Sequence, residues 1–315
     1  MATSGSIDFS VTALDIINGA FGKAGVKAAE QALTKDQLSD GMFSLNIMVK
    51  AWQGQKLHLW TKTEGVIFLD KGKQEYKLGG STGAQATNLD DFIPTTTNTA
   101  EVALATLIGV TSTTGLTVND NVGILQDDGT RHWSTITVID PGVSITIATG
   151  LVSAAASGKS VFTFTSFIER PVRILSSRRS TVSGDSEIEV FQFSRENYFN
   201  QPNKTATGTV VNFYYSPQLD LGRYYVWPTA SNADDFIRFT YERTIEDFDV
   251  NSDNPDFPIE WAETIIWNLA ARIGVDYNIP LAKLNVIQTN ANSFLDAILG
   301  FDEEPSSLNI QPEFN

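Results

Sequence analysis

Apolar residues recur at helical spacing only near the two ends of this chain, while the roughly 180 residues between them read as short strands and turns. Leu14, Ile17 and Phe21, three and four apart, predict a first helix over about Thr12–Ala24, stopped by Gly25. The second opens on a capping box, Thr34-Lys-Asp-Gln37, with a hydroxyl at the cap and an amide three residues on. Leu38, Met42, Leu45, Val49 and Trp52 then follow at 4-3-4-3 spacing as one stripe, and Gly54 ends it. A third helix is expected to open at Pro258, where a missing N–H costs nothing, with Glu260 and Glu263 near its positive end. Trp261, Ile265 and Leu269 are its stripe. A fourth begins at Pro280, lines Leu281, Leu284, Ile287, Ala291, Phe294 and Ile298 along one face, and is expected to stop at Gly300.

Between these ends the period changes to two. Leu57–Trp60 and Gly65–Leu69 are short apolar runs, with a turn at Asp70-Lys-Gly72, and predict a hairpin over 57–78. Gly79–Gly83 is a flexible break, and 79–99 reads as a linker. Within 100–165, Val122–Leu125 and His132–Ile139 flank Asp127-Asp-Gly129, a strong hairpin signal. Val143–Ile147 and Ser160–Thr165 complete that set. Further strands are expected near 187–193, 209–215, 222–227 and 235–241.

A two-helix hairpin encloses too little core to stand alone. The simplest arrangement brings both ends together. The expected fold class is therefore α+β, a helical bundle of N- and C-terminal helices with a large inserted β region that includes a small β-barrel or sandwich. The expected divisions are 1–78 with 246–315 as the helical core, 79–99 as linker, 100–165 as the inserted β domain and 166–245 as a β-rich region.

Charge sharpens the picture. The chain of 315 residues carries a net charge of −15, unevenly placed. Residues 1–78 hold nine Lys against eight acids, whereas 251–315 hold ten acids against Arg272 and Lys283. Such a surface repels phosphates, so a sequence-specific nucleic-acid binder is disfavoured. There is no cysteine, which removes disulfides and thiolate metal sites. No apolar run is long enough to span a bilayer as a helix, and the opening Met1–Asp8 lacks the basic and apolar blocks of a signal peptide.

Candidate chemistry is sparse. His58 and His132 are the only histidines, each beside a tryptophan in a strand-like run, so packing suits them better than a triad or zinc site. Asp249, Asn251, Asp253 and Glu260 match positions 1, 3, 5 and 12 of a calcium loop. Asn254 stands where that loop needs glycine, and Pro255 and Pro258 stiffen it, so an acidic loop leading into a helix is the better reading. Asn203-Lys-Thr205 is a glycosylation sequon only in a secreted chain. Arg170, Arg173, Arg178 and Arg179 form the one basic cluster; Glu187, Glu189 and Glu196 are expected to pair with it inside the fold or between copies. The last fifteen residues form an acidic tail, with Leu308, Ile310 and Phe314 spaced for docking on a partner. No catalytic residue and no cofactor or metal site is assigned.

Three stretches together resemble a known family: Thr12–Trp52 with the run that follows, Phe191–Phe199 through Gly222–Pro228, and Phe239–Phe248 through Pro258–Trp261. They resemble the head-to-tail adaptors of short-tailed phages, also called tail tubular or packaged-DNA-stabilisation proteins, over roughly two thirds of the chain. Residues 100–165 look like an insertion that shorter adaptors lack. The resemblance implies a structural virion protein at the head–tail junction, assembled in the host cytoplasm and not an enzyme. It implies a ring of this chain, typically dodecameric, docked beneath the portal protein, with nozzle or fibre proteins beyond it and DNA passing through without sequence-specific binding. The C-terminal tail, with Leu308, Ile310 and Phe314, is then expected to grip the portal. Ring contacts are heterologous, and the arginine cluster (Arg170, Arg173, Arg178, Arg179) with the acidic C-terminal region is one candidate pair of patches. Two other classes stay open: a carbohydrate- or receptor-binding tail module with exposed aromatics around Trp133, and a tail-associated polysaccharide hydrolase with converging carboxylates.

Overall fold

A computed structural model describes residues 5–28, 30–54, 59–80, 85–181 and 186–301. Five helices occur among them: α1 (Ala13–Ala24), α2 (Lys35–Gln53), the short α3 (Arg195–Phe199), α4 (Ala262–Asp276) and α5 (Leu281–Phe301). The chain divides into two compact units, residues 1–61 with 245–315, and Lys62–Thr244. The fold is thus mixed α+β, with helices and strands largely segregated.

In the helical unit, α1, α2, α4 and α5 contribute to one hydrophobic core. It holds Ile16, Ile17, Ala20 and Phe21 of α1, Leu45, Met48, Val49 and Trp52 of α2, Ile265, Leu269 and Ile273 of α4, and Ile287 of α5. Each such aliphatic or aromatic side chain contributes about 1.5–3 kcal/mol on burial. Small residues set how closely the helices approach. A Cβ on Gly41 of α2 would lie 2.6 Å from Ile17 Cγ2, and one on Gly19 of α1 would lie 3.2 Å from Ile266 Cγ2. Sequence distance is bridged by polar contacts as well. Asn46 acts on the main chain of Phe248 like a strand partner, donating and accepting at 2.9 Å. Trp60 Nε1 donates to the Asp256 carbonyl at 3.1 Å, and its ring lies 5.1 Å from that of Trp261.

Both N-terminal helices are capped in full. Thr34 and Gln37 form the expected box. Thr12 and Asp15 form a second that the apolar spacing alone did not reveal. The Thr12 N–H beside Asp15 holds that carboxyl below the usual carboxylate range. The next two free amides of α1, those of Ala13 and Leu14, donate to the carbonyls of Asp253 and Asn251 at 2.8 and 3.0 Å. The segment before α4 thereby completes the start of α1.

In the β unit, a five-stranded sheet has the order β11 (Glu187–Glu189), β10 (Arg173–Ser180), β17 (Phe236–Glu242), β1 (Lys62–Phe68), β3 (Ala86–Asn88). A four-stranded sheet runs β12 (Phe191–Gln192), β14 (Asn212–Pro217), β15 (Gly222–Trp227), β2 (Glu75–Leu78). The two share one core, with Ile67, Ile237, Phe239 and Tyr241 from the first and Tyr76, Phe213, Tyr215 and Tyr224 from the second. A small pair joins β13 (Thr207–Gly208) and β16 (Thr229–Ala230).

The third large sheet has six strands: β4 (Ile93–Thr96), β9 (Ser160–Phe164), β6 (Asn121–Leu125), β7 (Arg131–Asp140), β8 (Ser144–Ile147), β5 (Leu107–Gly109). An isolated bridge between Thr97 and Val110 ties the ends of its two edge strands, so the sheet curls back toward itself. Strand β9 is buried along its whole length. Its Val161 packs into the core of the curled sheet, while Phe162 and Phe164 join Phe68 and Phe236 in an aromatic cluster.

Several expectations change. The runs proposed as a 57–78 hairpin part company: β1 pairs with β17 and β3, β2 pairs with β15, and Leu59–Thr61 is a 3-10 turn. Residues 62–78 therefore belong to the β unit rather than the helical one. The 79–99 segment is not simply a linker, since it contributes β3 and β4, and the curled sheet begins at Ile93 rather than near 100. Pro258 leads into a 3-10 turn, Ile259–Trp261, before α4 starts at Ala262. Helix α5 runs through Gly300 to Phe301.

Candidate functional site

The arginine cluster lies on and beside β10, and its partners lie within the chain. Arg173 forks onto Glu242, its register partner on β17. Arg179 Nη1 lies 2.5 Å from Asp235 Oδ2, with only 13% and 19% of the two side chains exposed. Arg178 faces Arg238 across β10 and β17, a like-charge pairing that is unfavourable on its own. Two carboxylates from the flanking strands reverse its sign. Glu64 of β1 lies 2.8 Å from Arg178 and 3.5 Å from Arg238, and Glu187 of β11 lies 3.6 and 2.6 Å from the same two. Arg170 sits half-buried beside Gly79 and carries no ion pair among the described residues. Three of the four arginines thus bind strands together, which leaves them poorly placed as a docking patch for a neighbouring copy. Glu187 takes the part expected of it, whereas Glu242, Glu64 and Asp235 were not foreseen.

The other singled-out residues are dispersed. His132 projects from β7 half-exposed, with Nε2 3.0 Å from the Thr149 carbonyl. His58 and the tail residues Leu308, Ile310 and Phe314 lie outside the described residues. In the calcium-like loop, Asp253 Oδ2 accepts the N–H groups of Asp249 and Val250, both at 2.8 Å. The loop folds on its own carboxylate while its carbonyls cap α1. Among the described residues no cluster of three His, Asp or Glu side chains stands in metal-binding geometry. No described helix is long and apolar enough to cross a membrane. Asn203 Oδ1 accepts from Thr205 N–H at 3.1 Å, an ordinary Asx turn.

Two surfaces remain with unspent binding capacity. The first is on the helical unit. Phe43 and Ile47 on α2 and Val275 on α4 are 68%, 45% and 58% exposed, and all three line a depression of about 380 Å³ with Ser44, Arg272 and Asp276. Phe43 also lines a second depression of about 500 Å³ with Leu38, Met42 and Asn46. Ahead of α1, Ile7 and Phe9, two residues apart, are 101% and 75% exposed.

The second surface is a cavity of about 260 Å³ in the β unit, lined by Lys73, Gln85, Asn121, Trp133, Ser134, Phe164 and Phe167. Strand pairing explains its aromatic wall. Trp133 of β7 faces Gly123 of β6, and a Cβ there would meet the indole at 2.7 Å, so only glycine lets the ring lie across the strand. The indole then packs 5.2 Å from Phe68 and 5.8 Å from Phe164. On the polar side, Gln85 Nε2 donates to Asp70 Oδ2 at 2.5 Å, and Lys73 Nζ reaches Gln85 Oε1 and, at 3.5 Å, Asp70. Near this wall Arg131 is buried over the face of Phe162 at 3.9 Å and donates to the Gly123 carbonyl at 3.2 Å. Burial pushes its guanidinium down to about 10, against the opposing pull of the Asp70 charge. Trp133 Nε1 is buried with no acceptor.

Of these residues the apolar period pointed only to the strands that carry Trp133 and Phe164. Lys73, Gln85 and Phe167 come from connecting segments, where no period exists to read. Phe43 and Ile47 were visible in principle: they are large apolar residues, four apart, off the buried stripe of α2.

In comparisons with known proteins, no family model matches the chain and no curated protein matches it. Among solved structures, it aligns with VP17, a capsid protein of bacteriophage P23-77, at 13% sequence identity over 62% of this chain and 77% of that one, with a TM-score of 0.12. At that score the alignment carries no argument about fold or role.

Proposed function

We propose that this chain is the subunit of a ring-forming head-to-tail adaptor in a phage virion, with the helices from both chain ends forming the collar as one bundle and the β unit inserted into it. The observation that carries the reading is the exposed apolar face of Phe43, Ile47 and Val275 on a unit whose helices otherwise bury their stripes. Contiguous exposed apolar surface of this kind marks a protein interface. A closed ring needs two different complementary patches per subunit. The depressions around Phe43 supply one, and the Ile7–Phe9 segment of the next copy supplies the other. This replaces the arginine cluster as the contact, because three of its four charges are occupied within the chain. The portal protein and tail nozzle or fibre proteins are the partners above and below. DNA passes through, and the acidic balance disfavours its adhesion.

The test is mass photometry and electron microscopy of the purified chain, alone and with the portal protein. Closed rings are expected, and Phe43→Asp with Ile47→Asp is expected to abolish them while helical circular dichroism is retained. A chain that stays monomeric at tens of micromolar, both alone and with portal, overturns the reading.

A further inference from the structure

We propose that the Trp133 cavity binds one uncharged pyranose ring, the repeating unit of a neutral polysaccharide. The argument rests on the β unit alone and does not depend on ring formation. The first ground is size. At about 260 Å³ the cavity lies just under the range of drug-sized pockets, which suits a single ring. The second is shape: the rings of Trp133, Phe164 and Phe167 offer apolar surface to the C–H face of a sugar.

The third ground is the balance of hydrogen-bonding capacity. Asn121 spends only a long 3.5 Å contact from Nδ2 on the Phe164 carbonyl, so its amide oxygen is an available acceptor. A ligand must therefore donate to that oxygen and can accept from the remaining amide N–H. Hydroxyl groups do both at once. The fourth is charge: the one cation, Lys73, is already held by Asp70 and Gln85, so the wall presents no uncompensated charge to select an anion.

The experiment titrates the full chain with methyl glycosides of glucose, galactose, mannose and N-acetylglucosamine. Saturation-transfer NMR and tryptophan fluorescence read the binding, with sodium sulfate and a hexuronate as charged probes. Saturable millimolar binding of at least one neutral glycoside is expected, weakened about fivefold or more by Asn121→Ala, with a thermal midpoint close to wild type. Trp133→Phe keeps only a smaller aromatic face, and is expected to weaken binding and remove the fluorescence change. The proposal is overturned by no saturable binding of any neutral glycoside up to about 100 mM. It is equally overturned if Asn121→Ala binds like wild type, or if only the charged probes bind and Lys73→Met abolishes that binding. Any of these leaves the ring assay untouched.

Discussion

Two glycines in the helical unit make opposite predictions for the same substitution. Gly22 lies in α1, exposed, with nothing within 4 Å of where an added methyl would sit. Gly22→Ala therefore meets only the backbone effect and is expected to stabilise the helix by about 0.5–1 kcal/mol. Gly41 lies in α2 against α1, where the added Cβ would sit 2.6 Å from Ile17 Cγ2 and 3.2 Å from Phe21 Cε2. Favourable carbon contacts lie near 3.5–4.0 Å, so the methyl intrudes by about an ångström. Ile17 has little room to yield, because a β-branched side chain in a helix is confined largely to one rotamer. Overpacking of this kind costs about 1–3 kcal/mol, against the same gain of about 1 kcal/mol from helix propensity. Gly41→Ala should come out destabilised, up to about 2 kcal/mol, and the gap between the two variants should be about 1–3 kcal/mol. With a urea slope near 1 kcal/mol/M for a unit this small, the midpoints separate by about 1–3 M. Helical circular dichroism at one fixed protein concentration reads that transition. In an Ile17→Ala background the penalty should vanish, and Gly41→Ala should become neutral or favourable. A Gly41→Ala variant as stable as Gly22→Ala in the wild-type background would refute the close α1–α2 approach.

Thr34→Ala removes the hydroxyl that accepts the Gln37 N–H and should cost about 1 kcal/mol in the same urea transition. Arg179→Ala strips a well-shielded partner from Asp235 and should lower β-unit stability by about 1.5–3 kcal/mol with little response to salt. Glu187→Gln leaves Arg178 and Arg238 opposed with Glu64 alone; these groups are about a third exposed, so a loss of about 0.5–1 kcal/mol is expected, larger at low than at high ionic strength in thermal melts. Burial raises the phenols of Tyr76, Tyr215 and Tyr224 above the ordinary value of 10, and that of Tyr241 to about 12. Above pH 10 the unfolded chain then binds fewer protons than the folded one, so stability should fall as pH rises through 10 to 12. Phenolate absorbance and circular dichroism should change together there, and a phenolate titration complete before any unfolding would contradict that burial.

What the apolar pattern made legible was whatever one element decides for itself. The stripe Leu45–Val49–Trp52 is buried as its spacing demands, and the box at Thr34 closes as written. Strand identity near 122–125 and 132–139 was likewise local. What failed was pairing. Nothing in Gly65–Leu69 or Glu75–Leu78 tells that the first joins β17 and the second joins β15, because partners over a hundred residues away are chosen by the shared core. The segment Arg173–Ser180 was missed as a strand because its charges hid its period, and those charges have meaning only beside Glu64, Asp235 and Glu242. The cavity is illegible for the same reason, since its polar wall comes from segments around residues 73 and 85 and its aromatic wall from β7 and β9.

The division of the helical core between the two extremities has a consequence for synthesis. When α1 and α2 leave the ribosome, the chain that covers Ile17, Phe21 and Trp52 has yet to be made. Translation at ~5–20 residues per second puts all of Lys62–Thr244 in between, a wait of roughly ten to forty seconds. During it the strands can pair among themselves, while the apolar faces of the first two helices stay exposed. A nascent chain that stops before Ile245 never completes that helical core, so aborted products lack it by the order of the gene itself.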